Sequence, residues 1–307
     1  MKINTSKPRY NMSALAKQEE RWAWLFIAPT VIGFLCFMVY PIIFTFVASM
    51  TSWNGTNNML ENFNGLNNYT KLITDVKFWK TLTTTMIYFI GIPIGMILGL
   101  LLALAMNRKI FGVRILRTMY YIPVISSLVA VSILWAWIYN YDYGLINTII
   151  KLVTGKHGPN WLGDPILIKV SIIIFMVWKG LGTSIILYLA GLQGIPKNYY
   201  EAADIDGANA WGKFKNITLP LISPITFYIL ITSLIGGFQV FVEVDVMTTN
   251  GGVGYNAATI VYYLYNEAFK NSQMGYACAI AVILTIIILV ITAINFKQQD
   301  KWVKTMD

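Results

Sequence analysis

Five stretches of this chain hold no charged residue at all: between Arg21 and Glu61, Lys80 and Arg108, Arg117 and Asp142, Lys215 and Glu243, and Lys270 and Lys297. Each contains a largely apolar run near the length a helix needs to cross a hydrocarbon layer, about 20 residues. A sixth apolar run, 166–190, has Lys169 near its start and is interrupted by Lys179. None of the runs alternates in polarity as the strands of a membrane barrel do. The fold class is therefore all-α: a polytopic membrane helical bundle with six transmembrane helices, near 23–48, 83–106, 119–139, 166–190, 221–243 and 276–296. Composition agrees, with 56% apolar and 12% charged residues against roughly 25% charged in soluble domains. A disulfide scaffold is excluded because Cys36 and Cys278 are the only cysteines. Both sit in apolar runs and read as small buried hydrophobes.

Basic residues set the expected orientation. Lys2, Lys7, Arg9, Lys17 and Arg21 precede the first run; Arg108, Lys109, Arg114 and Arg117 lie in the second connection. Lys197, Lys213 and Lys215 lie in the fourth, and Lys297, Lys301 and Lys304 in the tail. That places 15 basic residues on one side and 6 on the other, with Lys169 and Lys179 inside the fourth run. Basic residues favour the cytoplasmic side, so the tails 1–21 and 297–307 are both expected in the cytoplasm. The net charge of +9 is thereby explained without a nucleic-acid partner. The first run is too long for a signal peptide and lacks a small-x-small cleavage site, so it is expected to be retained.

Within the second run, Gly91, Gly95, Gly99 and Ala103 recur at intervals of four. This spacing lines one helical face with small residues and suits close helix packing. The connection from Gly191 to Pro220 is different in kind. Pro196 suits a first helical turn, Tyr199 to Ile205 continue it, and Gly207 breaks it. Trp211, Phe214 and Ile217 then recur at threes as an apolar stripe on a second short helix, and Pro220 closes the unit. Ala202 and Ala203 permit close approach, while Glu201, Asp204 and Asp206 offer carboxylates to a basic partner. Three acids in six residues disfavour an anionic membrane surface, so a protein groove is the expected seat.

Glu201-Ala-Ala, then Gly207, then Ile217-x-Leu219-Pro220 resembles the EAA signature of binding-protein-dependent ABC importer permeases, with every position filled at the family's spacing. Further segments resemble the carbohydrate branch, in its maltose-type first permease: Ile27-Ala-Pro-Thr, Tyr40-Pro41, Gly65-Leu-Asn-Asn-Tyr69, Phe78-Trp79, Trp161-Leu162, Leu189-Ala-Gly-Leu-Gln193-Gly-Ile-Pro196 and Met274-Gly-Tyr-Ala277. One departure is Val253 after Thr249-Asn-Gly-Gly252, where the family often has proline. The resemblance implies a transport subunit, one half of a pathway for a sugar or oligosaccharide. Its partners would be a second, homologous permease in a heterodimer, two cytoplasmic ATPase subunits and an extracytoplasmic sugar-binding protein, all at the cytoplasmic membrane and in contact with its lipid. The implied coupling residues are Glu201, Ala202, Ala203, Asp206, Gly207, Trp211, Phe214, Ile217, Leu219 and Pro220. This chain has no G-x4-G-K-[S/T] phosphate loop, so ATP and Mg are expected on the partner ATPases, with no cofactor on this chain.

Lys179 is the costliest residue inside the bundle, and an intramembrane charge is a functional candidate by default. It lies about 18 Å outward of Gly191 along a helix, and Ser233 about 20 Å outward of Pro220. The shared depth, together with the resemblance, nominates Lys179, Gly180, Thr183, Ser233, Gly236, Gly237 and Val240 as the substrate pathway. Several differ in type from the maltose pattern, which leaves the sugar open. Lys179 has a second reading, as a snorkelling or interfacial lysine facing the partner permease. Straight-helix extrapolation puts Glu243 about 34 Å from Pro220; it and Asp245 are read as outer-mouth residues, away from Lys179. His157 is the only histidine and has no ligand cluster, so no metal site is expected.

Two other classes fit less well. An enzyme needs paired catalytic groups, and the membrane runs hold no histidine, no G-x-S-x-G and no close carboxylate pair at mid-depth. An ion-coupled secondary transporter would show repeated halves with mid-membrane acids; spans one to three and four to six show no mutual likeness. Within the resemblance, a permease for glycerol phosphate or a polyol is the alternative.

Overall fold

The computed structural model describes residues 14–56, 58, 59, 62–108, 112–299 and 303. Lys2, Lys7, Arg9, Lys109, Lys301 and Lys304, counted above for orientation, lie outside the described residues. Among those described, the chain is almost wholly helical, and its one β pairing is an isolated antiparallel bridge between Thr51 and Phe63.

The first span runs 34 residues, Leu15–Ala48, as α1 (Ala14–Phe34), a π-helical turn and α2 (Tyr40–Ala48). It stands largely apart: Phe26 is 76% exposed and Phe37 83%, an apolar surface suited to lipid. Cys36 is exposed here rather than buried, because only the α2 part of this span packs on the bundle. After α3 (Asn67–Thr74), helices α4 (Val76–Tyr88) and α5 (Gly91–Met106) form one 31-residue span.

The third span is not the single helix that hydropathy suggests over 119–139. It is broken into α6 (Val113–Ile125) and α7 (Leu128–Ile138), bent by 101°. Pro123 has no N–H to continue the ladder, and Ser126 and Ser127 both adopt extended backbone with ψ of 145° and 128°. Two extended residues in succession redirect a helix completely. The amphipathic α8 (Leu145–Thr154) follows, then α9 (Leu167–Gly194), whose 28 residues run straight through Lys179.

Beyond α9, the connection holds α10 (Lys197–Ile205), α11 (Ala210–Lys213) and α12 (Leu219–Leu221). The fifth span, α13 (Ser223–Phe238), ends earlier than the expected 243. The short α14 (Val242–Met247) and α15 (Ile260–Tyr265) precede the last span, α16 (Met274–Gln299). Helix α9 is central, packed against α5, α6 and α13. The glycine ridge explains the α5 contact. A Cβ on Gly99 would stand 2.7 Å from Cβ of Ser184, and one on Gly91 3.3 Å from Ile173, so both glycines admit the α9 surface.

At the end opposite the 191–220 connection, Asp75 ties three elements together. It caps α4 by accepting from the N–H groups of Lys77 (2.8 Å) and Phe78 (3.4 Å). Its other carboxylate oxygen accepts from the hydroxyls of Tyr263 and Tyr276. Burial alone would raise the Asp75 pKa, but these four donors outweigh it and hold the carboxyl below its ordinary value. A depressed folded value means the stabilisation is complete above the unfolded pKa, about 4, and is lost as pH falls through the folded value. Asp75→Asn should therefore lose about 1 kcal/mol at pH 6, discounted for partial exposure, and the difference from wild type should shrink as pH falls from about 4 through the folded value. Thermal unfolding in detergent across that range is the check; parallel curves would count against the carboxylate.

Candidate functional site

Helices α5, α9 and α13 do not close on one another at mid-length. They leave a cavity of about 370 Å³ lined by Lys179, Gly180, Thr183, Ser233, Gly236, Gly237 and Val240, together with Glu243. Helix α5 adds Gly91, Ile92, Gly95 and Met96, which had not been foreseen as lining residues. The opening has a simple cause. A Cβ on Gly95, Gly180 or Gly236 would meet nothing within 4 Å, so each of three helices presents an absent side chain to the same space. In the ridge on α5, the outer glycines seat α9 while Gly95 between them stays open; its regular spacing was the one signal.

The hydroxyls of Thr183 and Ser233 make no hydrogen bond with any described residue, whereas that of neighbouring Thr232 donates back to the carbonyl of Tyr228 at 2.8 Å. Two unengaged hydroxyls in an otherwise mostly apolar cavity are available to a polar solute. Gly237 behaves differently from Gly236. It is buried, and a Cβ there would stand 2.9 Å from the Phe89 ring; it is a packing glycine at the α13–α4 crossing. Val240 is 4% exposed and belongs to the core cluster around Tyr88 and Ile172, so it supplies wall.

Lys179 is engaged within the chain. Its ammonium donates to the carbonyl oxygens of Pro123, Val124 (3.3 Å) and Ser126 (2.9 Å). These carbonyls belong to the last turn of α6 and the residue that breaks it, so the lysine caps a helix end where the dipole is negative. The three donors of the ammonium thus meet three acceptors. Lys179→Met should lower stability by about 2 kcal/mol, the size of a hydrogen bond to a charged group, and Lys179→Arg should restore part of it. Thermal unfolding in detergent reads this directly. A methionine variant that melts with wild type would remove the cap from the account.

Glu243 corrects the straight-helix extrapolation. Helix α13 stops at Phe238, and Phe241 adopts φ −141°, ψ −57° before α14 begins. The chain therefore turns instead of continuing outward, and Glu243 lines the same cavity as Lys179. Asp245, on α14, is exposed. His157 lies in an exposed loop with its ring 4.4 Å from that of Tyr141.

The 191–220 connection forms a second candidate site. Helix α10 ends at Gly207, which takes φ +73°. The N–H of Ala208 donates to the Ala203 carbonyl (2.9 Å) and that of Gly207 to Asp204 (3.1 Å), the paired bonds of a Schellman stop. Asn209 then caps α11 by accepting from the Gly212 N–H at 2.8 Å. An ion pair from Lys213 to Asp204 and a hydrogen bond between the Tyr200 and Thr218 hydroxyls (2.9 Å) bind the two arms. Tyr200, Ile217 and Leu221 pack onto Leu192, Ile195 and Ile222 at the base of α9 and α13.

The supposed Trp211–Phe214–Ile217 stripe divides. A π-helical turn at Phe214–Thr218 shifts the register, so Ile217 packs inward while Trp211 is 68% exposed beside Phe214, with ring centroids 5.5 Å apart. Ile205 is 87% exposed. Glu201, Ala202 and Asp206 are exposed, Ala203 and Pro220 half-buried, and Leu219 partly outward. The unit is rigidly seated on the bundle and presents an apolar, acid-rimmed tip away from it.

Comparison with known proteins gives consistent results. The profile of the family described as "binding-protein-dependent transport system inner membrane component" matches residues 91–303. The lactose transport system permease protein LacF of Rhizobium radiobacter is 35% identical over 288 residues, covering 92% of this chain and 96% of that protein. The arabinooligosaccharides transport system permease protein AraP of Bacillus subtilis is 38% identical over 285 residues, covering 89% and 87%. Among solved structures, a chain of a bacterial alginate ABC transporter, crystallised with an alginate pentasaccharide-bound periplasmic protein, aligns with TM-score 0.82 at 22% identity. The alignment covers 95% of this chain and 99% of that one, and it shows the shared fold.

Proposed function

We infer that this chain, which belongs to the family of binding-protein-dependent transport system inner membrane components, forms half of the pathway of an ATP-driven importer for a sugar or oligosaccharide. It is a transport subunit and not an enzyme. The observation that carries the reading is the seated 197–217 unit with its exposed Ile205 and Trp211 tip, a shape suited to a groove on a separate ATPase. Saccharide as cargo is supported by the names of the lactose and arabinooligosaccharide relatives and by the cavity's free hydroxyls.

In the full assembly, a second homologous permease covers the open side of the cavity, completing a heterodimer. Two cytoplasmic ATPases hold ATP and Mg and receive one such unit from each permease. A sugar-binding protein delivers cargo at the opposite end. Both termini face the cytoplasm, as the basic residues flanking the spans favour. A phosphorylated cargo is disfavoured: Lys179 spends its donors on three carbonyls, and among the described residues the cavity is lined by no other lysine or arginine.

Reconstitution tests this. Proteoliposomes holding both permeases and the ATPase, supplied with the binding protein, should take up a labelled saccharide only with internal ATP and Mg. Uptake driven by a proton or sodium gradient, with the ATPase omitted, would overturn the reading.

A further inference from the structure

A second pocket, of about 230 Å³, lies at the end of the bundle opposite the 197–217 unit, and shares no lining residue with the mid-bundle cavity. Its walls come from the start of α4, the 249–255 loop and the π-helical turn Asn266–Lys270 that follows α15. We infer that this pocket is a saccharide-binding subsite sized for one sugar ring, distinct from the mid-bundle pathway; the inference rests on the saccharide reading above.

Three separate features converge on it. The first is an unsatisfied polar atom. Asn266 donates through Nδ2 to the Tyr255 hydroxyl at 3.0 Å, while its Oδ1 is buried with no partner. Exchanging the amide's oxygen and nitrogen would only move the deficit to the nitrogen, so one buried amide atom at the pocket wall lacks a partner in either orientation.

The second is a buried acid: Glu267 is 6% exposed and accepts from Asn271 at 3.0 Å. It forms no ion pair among the described residues, although Lys77 and Lys270 line the same pocket.

The third is backbone geometry. The non-glycine residues with positive φ among those described are Asn250 (52°), Tyr255 (65°) and Ser272 (52°). The first two line the pocket, and the third adjoins its wall residue Asn271. A left-handed tyrosine is a costly conformation, and such strain concentrates at binding sites. The adjoining π turn is a further irregularity of that kind.

The chemistry selects the occupant. Glu267 and the free Asn266 oxygen require donors, while Lys77 and Lys270 require acceptors. A carboxylate from a docked protein would satisfy the lysines but confront Glu267 and leave Asn266 unpaired. An ammonium would do the reverse. Hydroxyl groups donate and accept at once, and a ring carrying several of them meets both demands. Tyr255, half-buried, offers aromatic surface for the apolar face of such a ring, with Tyr262 and Tyr263 packed behind it at 1% and 4% exposure.

The test uses the reconstituted transporter. First, the saccharide that wild type takes up is identified among lactose, trehalose and arabinotriose. Its binding is then followed by saturation-transfer NMR without the binding protein, in a Gly236→Trp background that fills the mid-bundle cavity. Binding should persist there, and fall at least fivefold on adding Asn266→Leu or Glu267→Gln. Lys270→Met, at an exposed position, should weaken binding about threefold with an unchanged melting temperature, which guards against misfolding. Uptake in wild type with no binding in the Gly236→Trp protein, or binding indifferent to all three substitutions, would overturn the subsite and leave the importer reading intact. Substitutions that instead abolish binding-protein-stimulated ATP hydrolysis, with saccharide binding unchanged, would make the pocket a protein contact and equally overturn it. Absence of ATP-dependent uptake of every saccharide would remove the reading on which the subsite rests.

Discussion

Gly207→Val is expected to reduce binding-protein-stimulated ATP hydrolysis at least tenfold while leaving the membrane bundle folded. Gly207 takes φ +73° at the Schellman stop of α10. A Cβ in that region costs about 1–2 kcal/mol, and a β-branched side chain makes the conformation a true outlier. Every 1.4 kcal/mol is about tenfold in an equilibrium. A Cβ at 207 meets nothing within 4 Å, so the penalty falls on the chain reversal alone. Relaxing it turns α11, which carries the exposed Trp211, relative to α10, which ends in the exposed Ile205. Gly207→Asn should be mild, because asparagine tolerates the left-handed region. ATPase co-purification and stimulated hydrolysis measure the effect. A valine variant that couples like wild type would show that this reversal does not transmit the stroke.

The second large effect is expected at Gly236. Gly236→Trp places an indole into the cavity of about 370 Å³ from a position with open space ahead of it. Saccharide uptake should fall at least a hundredfold, while the assembled complex still hydrolyses ATP. Gly237→Ala, one residue on, should do something different. Its Cβ would stand 2.9 Å from the Phe89 ring, and overpacking of that kind costs about 1–3 kcal/mol, so it should lower the melting temperature and leave the pathway open. Uptake that survives Gly236→Trp would take α13 out of the pathway.

The contrast between these neighbours marks what sequence spacing leaves undecided. Depth and resemblance together make Gly236 and Gly237 equivalent pathway residues in sequence. A rotation of about 100° per residue points one into open space and the other into an aromatic ring. Which way α13 is turned is settled by its packing against α4, far away in sequence. Gly95 shows the same from the other side, a ridge glycine that the bundle happens to leave uncovered.

Glu243 and the third span failed in sequence for a related reason. Hydropathy counts apolar residues but carries no direction, so 119–139 read as one crossing although Ser126 and Ser127 turn it by 101°. The compensation is equally remote: the cap on the broken end comes from Lys179, 53 to 56 residues downstream. That lysine could be flagged as costly from sequence, but its three carbonyl partners exist only once α9 packs against α6. Sequence spacing puts Glu243 on a straight helix that the chain abandons at Phe238.

Features whose physics is local can be read directly from the residues. Charge-free runs long enough to cross a membrane give a helical bundle, because an unpaired backbone in hydrocarbon is too costly for any open alternative. The stop at Gly207 follows from bonds spanning five residues or fewer. The 197–217 unit is therefore legible in the residues down to its turn, apart from the π-helical shift that separates Trp211 from Ile217. Packing alone sets what lines the cavity, how the Lys179 ammonium finds its acceptors and where the outer pocket gathers its polar groups. Each depends on side chains from elements distant in sequence meeting at one depth, and that is set by how the helices are rotated, broken and packed.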